Sequence, residues 1–141
     1  MKTFVLSAVS IVLVGIFFCP MVMAAPSMPA DLQIVQPDPS LPKELSGFFG
    51  KWEGAAGNVN YFLIVEKIDE EKASLYLWRS TSFPELAPQG WMRYEAVVAK
   101  QRGKHKLQFV DSYGKYELTV KGEYLDVDGG VTGGARLKRV Q

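Results

Sequence analysis

The stretch HKLQFVDSYGKYELTVKGEYLDVD, residues 105–128, decides the fold. Leu107 and Phe109 alternate with polar residues, then Tyr116, Leu118 and Val120 do, then Leu125 and Val127. A period of two belongs to a strand that buries one face. Tyr113-Gly114 and Lys121-Gly122 separate the runs and supply turn residues. Spacings this short permit only antiparallel neighbours, because a parallel crossover needs a dozen residues or more. Outward from this stretch the same rhythm holds, and no window shows a persuasive helical period. It predicts strands near 47–55, 59–68, 73–79, 91–99, 105–110, 115–121, 123–128 and 134–140. Gly57-Asn58, Asp69-Glu70-Glu71, Arg102-Gly103 and Gly129-Gly130 punctuate the others. The expectation is an all-β chain, an eight-stranded antiparallel up-and-down β-barrel over 45–141, since closure removes exposed edges. A two-sheet sandwich is the alternative.

Ahead of the barrel the chain changes character. Lys2 precedes an apolar run from Phe4 to Phe18, and Val22-Met23-Ala24 follows Pro20, the layout of a signal peptide over 1–24 with cleavage before Ala25. The run is long enough that retention as a membrane anchor is the alternative. Cys19 lacks the small preceding residue of a lipoprotein site, because Phe17-Phe18 stands there. Residues 25–44 carry Pro26, Pro29, Pro37, Pro39 and Pro42 and no apolar period, which predicts an extended proline-rich tether, or a docking arm for a partner. Export, to a periplasm or outside the cell, is the expected localisation.

Composition excludes several functions. The chain has 141 residues, 16 Lys+Arg and 15 Asp+Glu, and loss of Lys2 with the signal brings the mature charge formally to zero. A neutral domain has no field for a dedicated nucleic-acid binder. The single cysteine lies in the signal and there is one histidine, which removes disulfides, thiol chemistry and the usual zinc sites. No cofactor or metal is implied. Asp126-Val127-Asp128-Gly129 lacks the further ligands and closing glutamate of a calcium loop. Ser74, Ser80, Ser82 and Ser112 carry no nucleophile motif, and Glu85 and Glu95 have no spacing that demands pairing, so the expectation is not an enzyme.

Gly50-Lys51-Trp52 in the first strand, the eight-strand meander and Arg139 in the last strand resemble the calycin superfamily, the lipocalin-like barrels. The chain is shorter than true lipocalins and lacks their C-terminal helix and disulfide. It is also similar to compact barrels among small secreted bacterial proteins. The resemblance implies that Trp52 and Arg139 are structural and pack together near the closed end.

Connections in an up-and-down barrel fall at alternate ends. Asp69–Lys72, Lys100–Lys104 and Lys121–Gly122 are tight and charged, which makes a floor. Ser80–Gly90 and Asp128–Gly133 are longer and glycine- and proline-bearing, which makes a mouth. Tyr61, Trp78, Trp91, Tyr113 and Tyr116 fall toward the mouth with Phe109, and Phe83 and Leu86 lie in the longest loop. Tyr61, Trp78, Phe83, Trp91, Tyr113 and Tyr116 are therefore the candidate ligand-binding residues, for a small hydrophobic or amphipathic molecule. The bland reading is that these rings simply fill or coat the barrel. A protein-interaction module, such as an inhibitor or envelope assembly factor with a filled barrel, is the alternative function. Lys100, Arg102, Lys104 and Lys106, beside His105, form a basic hairpin that is either a solvated turn or a contact for an anionic membrane surface.

Overall fold

A computed structural model describes residues 26–80, 90–130 and 133–141. The signal segment, Phe83, Glu85 and Leu86 lie outside the described residues. One helical turn, α1 (Lys43–Ser46), precedes β1 (Gly50–Ala56), β2 (Val59–Ile68), β3 (Lys72–Arg79), β4 (Gly90–Gln101), β5 (Lys104–Asp111), β6 (Gly114–Lys121), β7 (Tyr124–Gly129) and β8 (Gly134–Val140). The strands form a closed antiparallel barrel in sequence order, with β1 paired to β8 from Lys51↔Val140 to Ala55↔Arg136.

Alternation builds the core. Tyr61, Leu63 and Val65 of β2 point inward, as do Leu75 and Leu77 of β3, Leu107 and Phe109 of β5, Tyr116 and Leu118 of β6, Leu125 and Val127 of β7, and Leu137 of β8. They belong to one buried cluster that runs from floor to mouth. Closure is tightest at Gly54, where an added Cβ would strike the Arg136 carbonyl and come within 3.1 Å of Leu137 Cα. Only glycine lets the first and last strands approach that closely.

The floor is where the first strand begins later than expected. Residues 43–46 make a helical turn, too short to leave a period in the sequence, and Leu41, Leu45 and Phe48 enter the core cluster from below. The backbone carbonyls between this turn and β1 need partners, since a buried unpaired C=O is costly. Arg139 supplies two: Nη1 donates to the Phe49 carbonyl at 2.7 Å and Nη2 to that of Gly47 at 2.6 Å. The Trp52 indole N–H donates to the Phe48 carbonyl at 3.0 Å, and the Arg139 guanidinium lies 4.1 Å from the Trp52 ring centroid.

The proline-rich segment lies against the barrel, with turns closed by the Leu32 N–H on the Pro29 carbonyl and the Leu41 N–H on the Asp38 carbonyl. Residues 26–41 run down the outer wall of β2, β3 and β4. A bulge between Val65 and Lys67 takes Glu66 out of the β2–β3 ladder, and its carbonyl accepts from the Val35 N–H at 2.8 Å. The strap buries Ile64, Glu66 and Tyr76 on the outer face, which is why β2 and β3 depart from strict alternation.

Candidate functional site at the barrel mouth

Arg79 ends β3 in phase with Ala73, Leu75 and Leu77, so its side chain turns into the barrel and is only 3% exposed. Asp111 ends β5 in phase with Leu107 and Phe109, and its side chain is 4% exposed. The two meet at 3.1 Å, Nη2 to Oδ2. The same guanidinium donates to the Tyr116 hydroxyl at 2.6 Å and, at 3.4 Å, to that of Tyr94. It sits 5.3 Å from the Tyr113 ring centroid and 5.9 Å from that of Tyr116. The other Asp111 oxygen accepts from the Tyr113 N–H at 2.7 Å, tying the β5–β6 turn to the ion pair.

Tyr94, Phe109 and Tyr116 form a stack beside this pair, with centroids 4.8 and 4.7 Å apart. The stack has an architectural cause. β4 pairs with β5 only from Gln101↔Lys104 to Val97↔Gln108, and residues 90–96 pair with β3 alone. Above that point the wall between β4 and β5 is held by the Tyr94–Phe109 rings. Gly130, at φ 71°, lies directly against the Tyr116 ring, where any side chain would collide. Burial pushes the Tyr116 phenol well above its ordinary pKa, against the opposing pull of Arg79. Burial likewise raises that of Tyr94. Both therefore stay neutral hydrogen-bonding groups at physiological pH.

The sequence candidates separate. Tyr61 faces inward, opposite Arg79 in register, and Tyr113 and Tyr116 join the cluster. Trp78 and Trp91 do not: the phase that turns Leu77 and Arg79 inward turns them onto the outer wall. There Trp78 meets Phe62 edge-on at 5.5 Å, and the Trp91 indole meets Tyr76 at 6.4 Å. The register of β3 points Leu77, and not Trp78, into the core. Arg79, Tyr94 and Asp111 were missed, although Arg79 and Asp111 continue inward apolar phases as opposite charges. Glu95 is on the outer face, 3.7 Å from Lys72.

At the floor, Lys100, Arg102 and Lys104 are exposed, while Lys106 pairs with Glu117 at 2.9 Å and His105 with Glu44 at 2.9 Å. Hydrogen bonds from Arg136 and then Lys121 bring the Asp126 pKa down to about 2, so that carboxylate is engaged by cations of its own chain. Among the described residues, no group of three or more His, Asp or Glu side chains is placed to hold a metal ion. Comparison with protein-family models, with curated proteins and with solved structures returned no match for this chain.

Proposed function

We propose that this chain is an exported, calycin-like barrel that binds a small amphipathic ligand at its mouth, against Arg79, Tyr94, Tyr113 and Tyr116. The observation that carries the reading is the buried Arg79–Asp111 pair, contacted by two tyrosine hydroxyls, at the end of an otherwise apolar barrel where β3 and β5 finish. An ion pair taken out of water is often no more stabilising than apolar residues of the same volume, so its presence argues for recognition. Tyrosine faces suit a flat guest, and the guanidinium and carboxylate suit a polar edge. The core cluster beneath them favours a compact ring system over a long acyl chain. The Trp52–Arg139 stack supports the calycin resemblance, and the signal-like residues 1–24 support export.

A second reading, a protein-interaction module, is favoured by the continuous core cluster and by Val97 and Val110, both well exposed on the outer face of β4 and β5. The exposed Lys100, Arg102 and Lys104 support contact with an anionic membrane surface, although Lys106 is already paired.

Tyrosine-ring NMR resonances test the mouth site, since Trp52 is at the floor and Trp78 and Trp91 are outside. Titration with a panel of aromatic carboxylic acids and flat heteroaromatics is expected to shift Tyr94, Tyr113 and Tyr116 with saturation below about 1 mM, a binding free energy of about 4 kcal/mol. Unmoved tyrosine rings across the panel would sink the ligand reading.

A further inference from the structure

The outer wall holds a second constellation, independent of the mouth. Phe62, Trp78 and Trp91 stand in one cross-strand row, joined by the registers Phe62↔Trp78 and Trp78↔Trp91. The row below it is Ile64, Tyr76 and Arg93. Three large aromatics side by side on the outside of a barrel are unusual for a solvated face, where polar residues alternate with the core. Beside Phe62 and Trp91 runs the segment Pro26-Ser27-Met28-Pro29, a P-x-x-P sequence, and the Trp91 indole N–H donates to the Ser27 carbonyl at 2.7 Å. Aromatic rings against an extended proline-bearing chain, with a ring N–H fixing a backbone carbonyl, are the physical elements of proline-rich peptide recognition. Such a ligand loses little entropy on docking and leaves its carbonyls free to accept.

The strap is not held evenly. Gln33 and Val35 are anchored through Glu66, and Leu41 is in the core, whereas among the described residues Pro26–Pro29 are hydrogen-bonded to the wall through Trp91 alone and Met28 is about half exposed. A groove of about 110 Å³ continues from Pro26 and Met28 between Phe62, Ile64, Trp91 and Val140. The wall therefore carries its most weakly held occupant over its most aromatic part.

We propose that the Phe62–Trp78–Trp91 wall is a docking surface for an extended P-x-x-P segment of a partner protein, and that Pro26–Pro29 occupies it in cis as a stand-in. A tethered occupant competes at an effective concentration near millimolar, so the wall is masked until a better segment displaces it.

The test uses the full chain and a fluorescein-labelled peptide reproducing residues 26–35, read by anisotropy. A Pro26→Ala, Pro29→Ala double variant weakens the cis occupant and is expected to bind the peptide at least tenfold more tightly than the unaltered chain. Adding Trp91→Phe, which keeps an aromatic face but removes the N–H and part of the ring area, should weaken that binding at least about fivefold, the worth of one net hydrogen bond. A peptide with both prolines replaced by alanine should not bind. Equal binding with and without the Trp91 N–H, or none to the double variant at millimolar protein, overturns the proposal. So does Trp91-dependent dimerisation in sedimentation without peptide binding, because the occupant is then a second copy of this chain.

Discussion

Arg79 and Asp111 are where the interior stops being apolar, and removing one partner differs in kind from removing both. Asp111→Ala leaves a buried, unpaired guanidinium and is expected to cost on the order of 3–5 kcal/mol in chemical denaturation. Arg79→Met with Asp111→Leu is expected to recover most of that loss, because apolar residues of similar volume replace the pair without desolvating charge. A double variant as unstable as the single would mean that the pair serves the fold and would remove its argument for binding. At the other end, Arg139→Ala deletes a stacked cation worth about 0.5–2 kcal/mol and strips partners from the Gly47 and Phe49 carbonyls. Arg139→Lys should rescue less than half of the lost melting temperature, since one ammonium cannot match a planar fork that reaches two carbonyls while lying flat on Trp52. Full rescue by lysine would show that charge alone matters there.

Among the elements, the strap is attached to the barrel through a titrating group, Glu66. Burial alone would raise the Glu66 pKa, but hydrogen bonds from the Gln33 N–H at 3.1 Å, Ser74 at 2.8 Å and Arg93 at 2.6 Å outweigh it and leave it below its ordinary value. A depressed carboxylate stabilises the folded form fully above its unfolded pKa, about 4.3. That contribution is lost as pH falls from there through the lower folded value. Stability should therefore decline as pH drops below about 5, and Glu66→Gln should be less stable at neutral pH with a flatter profile. Thermal melts of both chains between pH 7 and pH 3 check this; parallel profiles would show that Glu66 is not a controlling group. The strap's path was not legible in advance. Its prolines announce an extended chain, but a strand bulge and one outward carboxylate decide where it is pinned, and neither leaves a period in the sequence.

For the whole molecule, closure is the event on which the rest depends. β1 and β8 meet across almost the entire domain, and Gly54 sits where backbone faces backbone. Gly54→Val is expected to hold the two strands apart and expose two sheet edges, giving aggregation in light scattering and loss of the cooperative melt. A soluble, cooperatively melting Gly54→Val protein would show that the seam yields. The sequence by itself determined the strand count, their antiparallel order and the eight-stranded barrel, because a period of two and short glycine turns are local properties. It also placed Trp52 and Arg139 in the first and last strands, which closure makes neighbours. Only the tertiary structure decided which residues meet. Trp78 and Trp91 went to the outer wall, and Arg79, Tyr94 and Asp111 came together from three strands inside the mouth. Side-chain phase within each strand is set by pairing register and by the end of β4–β5 pairing at Val97, and register is a property of partners far away in the chain.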